Sequence, residues 1–332
     1  MRQNAGGLLI LSRADVTRLM DFPAYIEAVE AGFRAAAAGR ALVPPATGFD
    51  VPGGAYHAKA AALLDGPGGI VAVKLNANYP SNPSAHGLPT IQGVIYLADA
   101  DDGRPLALMD SIEITINRTG AATALAARYL ARPDARVATI CGAGVQGRIQ
   151  SRAVAQAIGL ERLHVWDIRI AAAQALADEL SKELALDVRP AYDLAVARHS
   201  DVIVTCTSSR QAFLTPDLVR PGTFVAAVGA DNPDKQEIDP ALFALATVVV
   251  DSLEQCAEIG DLHHALVRGA ICHGQVQASL AELVTGSKPG RRDACEITLF
   301  DSTGLGLQDV AAAVVAYRRA LEAGIGQCVT IN

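Results

Sequence analysis

An apolar run, Val137-Ala-Thr-Ile-Cys141, leads into Gly142-Ala-Gly144-Val-Gln-Gly147, and a helix-like run follows from Gly147 to Ile158. A second apolar stretch, Leu163-His-Val-Trp166, ends at Asp167, 20 residues beyond the third glycine. Strand, spaced glycines, helix, strand and acid in that order form a complete βαβ dinucleotide-binding pattern rather than three isolated glycines. Gly142 allows the tight turn, Gly144 lets the backbone approach a pyrophosphate, and Gly147 lets the helix lie close to the strand. The N–H groups of Val145, Gln146 and Gly147 then face the phosphates at the helix start. Asp167 sits where a carboxylate accepts from the ribose hydroxyls and repels a 2′-phosphate, which favours NAD. Arg169, two residues on, keeps NADP open.

At 332 residues the whole chain is long enough for about two domains. Half of its residues are apolar, so a sizeable core can form. A net charge of −7 with no Lys/Arg-rich run argues against a nucleic-acid surface. No apolar stretch is long enough to span a bilayer. The run Met1 to Leu11 is too short in its apolar part for a signal peptide and reads as a first strand. Cysteines 141, 206, 256, 272, 295 and 328 contain no C-x-x-C pair. They read as small buried residues of a reducing cytoplasm. His263, His264, Cys272 and His273 fit no common zinc spacing, so no metal is expected.

Periodicity organises the chain further. Residues 23–38 are helical, with Pro in the first turn. Between Val43 and Asp99 short β-like runs (47–50, 56–64, 70–75, 90–99) alternate with Pro/Gly turns, as in an antiparallel or mixed sheet. An Ala-rich helix, 119–130, leads into the nucleotide unit. Beyond Asp167, a helix (170–185) and strands at 201–207, 224–229, 247–251 and 296–301 predict a doubly wound parallel sheet. A last helix, 308–323, returns to the first domain. The expected fold is α/β. A Rossmann domain, 119–305, is inserted in a split α+β substrate domain, 1–118 plus 306–332.

Ligands of open α/β sheets lie beyond the carboxyl ends of the strands. Thr205, Thr207 and Ser208 end one strand and suit a ribose or adenine. Val228 and Gly229 end another, where a nicotinamide can approach, and Asp231 lies just beyond. Asp231 is either a proton-exchanging group or a turn carboxylate before Pro233. Asp301, Ser302 and Gly304 follow the last strand. In the first domain Lys74 interrupts Ile70-Val-Ala-Val, on a solvated face or in a pocket. Arg118 precedes Thr119 at the start of the Ala-rich helix, where a cation is unfavourable unless it binds an anion or an acidic side chain.

Several segments carry a resemblance: Lys74-Leu-Asn-Ala-Asn-Tyr-Pro80, Leu88-Pro-Thr-Ile-Gln-Gly93, Thr115-Ile-Asn-Arg118-Thr-Gly-Ala-Ala, the glycine motif, Gly229-Ala-Asp231-Asn-Pro-Asp-Lys-Gln-Glu237 and Phe300-Asp-Ser-Thr-Gly-Leu-Gly-Leu-Gln-Asp309. From about residue 40 to 318 the chain resembles the ornithine cyclodeaminase/μ-crystallin family. The resemblance implies the split Rossmann arrangement, a homodimer formed through the non-nucleotide domain, and a small amino- or imino-acid substrate. It implies that Lys74 and Arg118 hold the substrate carboxylate, and that Asp231 is the acid/base group. It also implies cofactor contacts from Thr119, Thr205 and Val228.

The family often carries Arg in a Pro-Pro-Arg-Thr segment, where this chain has Pro44-Pro45-Ala46-Thr47. If Asp50 faces Ala55 across the hairpin, Ala46 faces Lys59, and directly opposed residues share a sheet face. Lys59 is therefore expected to supply the missing cation. His57, on the same face, lines the pocket or lies on the surface. Three chemistries resemble one another here: reduction of a 2-imino acid by NADH, cyclodeamination of a diamino acid with recycled NAD, and cofactor binding without turnover, as in μ-crystallin. Asp301 resembles the alanine dehydrogenase-like and imine reductase branch, because cyclodeaminases commonly have lysine there. Asp301 and Asp231 could instead hold a substrate amine.

Overall fold

The protein was analysed as a computed structural model, which describes residues 7–64 and 68–331. Its contacts divide the chain after Arg118 and after Gly304. The first compact unit runs up to Arg118 and resumes at Leu305, and the second is Thr119–Gly304.

The second unit is built on a parallel sheet that is eight-stranded among the described residues. Its order is Asp187–Ala191, Arg162–Trp166, Val137–Cys141, Val202–Thr205, Phe224–Ala227, Ile297–Asp301, Ala246–Val250 and Val276–Ser279. The central strands are enclosed on both faces, which is why they read as unbroken apolar runs rather than alternating ones. From Val137–Cys141 the chain winds outward first to Arg162–Trp166, then on the other side to Val202–Thr205. That reversal is the topological switch point, and the glycine motif leaves the sheet there.

The first unit holds a mixed sheet of eight strands among the described residues. Gly7–Leu11 lies between Gln327–Thr330 and Pro105–Asp110, followed by Ile91–Asp99, Ile70–Asn78 and Gly54–Leu63. Ala41–Leu42 and Thr47–Val51 both pair with Gly54–Leu63. Residues Met1–Gly6 of the expected first strand lie outside the described residues. Ile70–Asn78 alternates: Ile70, Ala72, Lys74 and Asn76 are buried, whereas Val73 and Leu75 are exposed. Helices Phe22–Ala37 and Gly306–Ala323 belong to this unit and touch closely, since a Cβ on Gly32 would lie 2.9 Å from Ala311 Cβ. Gly306 starts the latter helix against the backbone of Ala60, where a Cβ would meet the carbonyl at 2.4 Å.

Two expectations are corrected. The Ala-rich helix starts seven residues before Thr119 and spans Ile112–Leu130. The carboxylate of Asp110 accepts from Glu113 N at 3.1 Å, and Thr115 N donates to the Ser111 carbonyl. Arg118 therefore lies in the second turn, and the helix-terminus argument for an anion beside it falls. The Asp-Ser-x-Glu pattern at 110–113 is an N-terminal signal that the β-branched run Ile114-Thr-Ile obscures. The cysteines are free, but Cys272, Cys295 and Cys328 are exposed rather than buried. No helix among the described residues is long and apolar enough to cross a membrane.

Candidate functional site

In the second unit the glycine loop has the geometry of a phosphate cradle. Gly142 has φ +114°, a conformation that favours glycine. A Cβ on Gly147 would lie 1.9 Å from the Gly142 carbonyl oxygen, so only glycine lets the helix Val145–Ala157 start this close to the strand. A Cβ on Gly144 would meet nothing within 4 Å. Gly144 caps the helix, so no N-cap side chain occupies the first N–H groups, and the adjoining Val145 is exposed. These features fit a dinucleotide pyrophosphate. Asp167 Oδ2 accepts from Ala143 N and Oδ1 from Arg169 N, both at 2.9 Å, so the acid clamps the loop as well as standing at its mouth. The Arg169 side chain is 75% exposed, with Nε 3.6 Å from Asp167 Oδ1.

The neighbouring strand ends are tied together by carboxylates that the sequence analysis did not single out. Glu237 Oε1 accepts from the Thr207 N–H at 2.5 Å and the Thr207 hydroxyl at 2.6 Å, and Oε2 accepts from Gly229 N at 3.0 Å. One buried carboxyl thus fixes the ends of Val202–Thr205 and Phe224–Ala227, between which Val228 N donates to the Thr205 carbonyl. Asp261 Oδ1 accepts from the Glu237 and Ile238 amides at 2.8 and 2.9 Å. Asp251 accepts from the Ser302 hydroxyl at 3.0 Å and Gly304 N at 2.7 Å, and so shapes the loop after the last strand. Burial raises the Glu237 carboxyl, and burial followed by repulsion from Glu237 pushes Asp261 up to about 8. Asp251 ends the apolar run Val248-Val-Val250, a signal by which it could have been found, whereas Glu237 and Asp261 lie in mixed polar segments that carry none.

Asp301 is also enclosed, at 0% exposure, and its Oδ2 accepts from Leu262 N at 2.8 Å. Burial, then repulsion from Asp261, lifts its carboxyl well above the usual range. The expected substrate contact by Asp301 is therefore corrected: its side chain turns into the unit and caps the start of helix Asp261–Val267. Asp231 is exposed, and its Oδ1 lies 2.6 Å from Lys235 Nζ. Ser208 is exposed, and Thr119 is half-buried in the helix after Arg118. His263 Nδ1 lies 3.0 Å from the Ala257 carbonyl and His264 Nε2 2.8 Å from the Lys235 carbonyl. Among the described residues no group of three or more His, Cys, Asp or Glu side chains could hold a metal ion.

In the first unit Lys74 and Arg118 converge on one acid. Lys74 is 3% exposed and Arg118 5%. Lys74 Nζ lies 2.6 Å from Asp309 Oδ2, and Arg118 Nε lies 3.0 Å from Asp309 Oδ1. Arg118 Nη1 also donates to Gln308 Oε1 at 2.7 Å. Asp309 and Gln308 were quoted in the sequence only as part of a motif. Both stand in the buried first turns of Gly306–Ala323, where a carboxylate needs a cation. Burial lowers the Lys74 ammonium to about 7 against the pull of Asp309. Burial pushes the Asp309 carboxyl up, but Lys74 and Arg118 outweigh it and hold it below the usual range.

The hairpin register has Asp50 opposite Ala55, and its ladder begins at Thr47 opposite Ala58, one residue after Ala46. On its other side Lys59 is paired directly with Lys74. Lys59 is half-buried, and its charge acts on both Lys74 and Asp309. His57 is exposed, opposite Gly48 on one strand and Asn76 on the other.

The family model for the ornithine cyclodeaminase/mu-crystallin family matches residues 8–324. The chain belongs to that family. It is 37% identical over 319 residues to an alanine dehydrogenase of Archaeoglobus fulgidus, covering 96% of this chain and 97% of the relative. Its structure resembles an archaeal alanine dehydrogenase dimer with bound NAD (TM-score 0.93, 35% identity, 98% of this chain and 100% of that one). It also resembles the Δ1-pyrroline-2-carboxylate reductase of Thermococcus litoralis in complex with NADH and L-proline (TM-score 0.92, 37% identity, 96% and 99%).

Proposed function

We propose that this chain is an NAD-dependent oxidoreductase that interconverts a 2-imino acid and an L-amino acid. The observation that carries the reading is the buried pair Lys74 and Arg118, two cations sharing the single acid Asp309. One carboxylate cannot neutralise two cations, so an anionic substrate is electrostatically welcome there. The open cradle at Gly144 supports a dinucleotide in the same chain, and relatives of similar length are structures with NAD or NADH. Asp167 supports NAD over NADP.

When bound, the cofactor supplies the hydride that reduces C2. Arg118 pairs with the substrate carboxylate, and Lys74 holds the same group. Asp231 supplies or removes the proton on the substrate nitrogen, directly or through water. Lys74 and Arg118 belong to the first unit and Asp231 to the second. Their assignment to one substrate rests on the motifs they share with the family. Lys59, beside Lys74, is assigned as the replacement for the arginine absent at Ala46. The enclosure of Asp301 takes away one of the two acids that could hold the distal amine of a cyclodeaminase substrate and leaves Asp231. The exposed Val73, Leu75 and Val94 lie on one face of the first unit's sheet and support a homodimer through that face.

The test follows NADH absorbance with two substrate sets. Stoichiometric NADH loss with pyrroline-2-carboxylate, or with a 2-oxo acid plus ammonium or methylamine, is the expected result. Ammonia release from L-ornithine with catalytic NAD and no net NADH change would overturn it in favour of a cyclodeaminase.

A further inference from the structure

We propose that Asp309 is a positioning residue of the carboxylate site: it aims Lys74 and Arg118 and keeps the Lys74 ammonium charged in its buried setting. This rests on the reading that these two cations take a substrate carboxylate.

Geometry carries the inference. Asp309 spends one oxygen on each cation, with 2.6 Å to Lys74 Nζ and 3.0 Å to Arg118 Nε. All three side chains are buried, so water cannot substitute for the acid. The charged groups facing Lys74 come from three elements. Asp309 stands on Gly306–Ala323, Arg118 on Ile112–Leu130 and Lys59 on Gly54–Leu63. Its partner on the fourth, Ile95, is apolar. Two of the three charged groups are cations that repel the ammonium, and only the third, the Asp309 carboxylate, favours the proton on Lys74. Gln308 anchors the second arm of the arrangement by accepting from Arg118 Nη1 at 2.7 Å, so helix Gly306–Ala323 fixes the guanidinium at two points. Asp309 does not need to touch substrate to act. It sets where the two cations point and the pH range over which both are present.

The experiment is a calorimetric titration of the NADH-loaded protein with pyrrole-2-carboxylate, a planar carboxylate of the size of a cyclic imino acid, from pH 5.5 to 9. Asp309→Asn keeps the volume but removes the negative charge and sets an amide N–H₂ against one of the two cations, donor against donor. Wild-type affinity is expected to fall by about tenfold per pH unit once Lys74 loses its proton. In D309N the break is expected to move at least one pH unit to the acid side. The variant then binds about tenfold more weakly at pH 7, and the gap narrows at pH 5.5. NADH affinity is expected to stay within about twofold of wild type, because the cradle lies in the other unit. A uniform loss at every pH, or a break unmoved from the wild-type position, overturns the inference and reduces Asp309 to a structural acid. Lys74→Arg covers the case in which D309N does not fold. A guanidinium keeps its proton, so the break disappears if Lys74 is its source, and its persistence overturns the inference. Failure of the wild-type protein to bind any carboxylate at any pH is a different result, and it removes the carboxylate reading itself.

Discussion

Gly144 and Gly147 stand three residues apart in one motif, yet substitution by alanine should affect different properties. At Gly147 the new methyl would lie 1.9 Å from the Gly142 carbonyl oxygen and 3.0 Å from its carbon, both backbone atoms that cannot rotate away. Ordinary contact needs about 3.4 Å or more, so the helix start must retreat by more than an ångström. Overpacking of this kind costs about 1–3 kcal/mol. For a unit of this size each kcal/mol lowers Tm by about 2–4 °C, and NADH affinity falls as the helix N-terminus moves. At Gly144 the backbone has φ −86°, which any residue adopts, and the methyl meets no protein atom within 4 Å. Gly144→Ala should therefore leave Tm of the unliganded protein within about 1 °C. It should weaken NADH by about tenfold or more, because the methyl occupies space a pyrophosphate needs. Thermal melts without cofactor and a fluorescence titration with NADH separate the two effects. Wild-type NADH affinity in Gly144→Ala would refute the cradle, and a wild-type melt in Gly147→Ala would refute the close approach.

Asp231→Asn should lower kcat by about 10²–10⁴-fold while NADH affinity stays unchanged; steady-state kinetics with wild-type kcat would remove Asp231 from the proton step. Glu237→Gln sets an amide N–H₂ against the Gly229 N–H and leaves a buried donor unpaired. A loss of about 1–3 kcal/mol is expected, read as a lower Tm together with weaker NADH binding. Asp261, raised from 3.8 to about 8, holds its proton in the folded protein where the unfolded chain has lost it. The folded state therefore binds more protons between pH 4 and 8, and stability falls as pH rises through that window. Asp261→Asn, whose amide resembles the protonated acid, should flatten this fall and raise Tm at pH 8 but not at pH 4. Parallel Tm–pH curves for the two proteins would count against it.

The parallel sheet was legible because buried central strands such as Val202–Thr205 and Phe224–Ala227 admit no polar alternation, and the glycine motif marked its switch point. Strands Pro105–Asp110 and Asp187–Ala191 escaped notice because proline and charge dilute their patterns, and it is the ladder on each side that decides them. The register of the 47–58 hairpin was readable from its Pro-Gly-Gly turn. The site was legible in part. Lys74 stood out because a charge inside an apolar strand is costly, and Arg118 because it was read at a helix start that in fact lies at Ile112, but their shared acid, Asp309, lies 191 residues from Arg118 in the chain. No local pattern joins positions so far apart. Asp301 was misplaced for a related reason. A carboxylate at a strand end can face a ligand or cap a neighbouring helix, and only the position of Leu262 N distinguishes them.

The central claim is that the chain moves a hydride between a nicotinamide and C2 of an imino acid. It is tested most directly by turnover of pyrroline-2-carboxylate, or of pyruvate with methylamine, with NADH deuterated at C4, followed by mass spectrometry and NMR of the product. One deuterium at C2 of the amino acid, equal in amount to the NADH consumed, is the predicted result. Product without deuterium from either C4 isotopomer, or no product from any imino acid although NADH binds, would contradict the account.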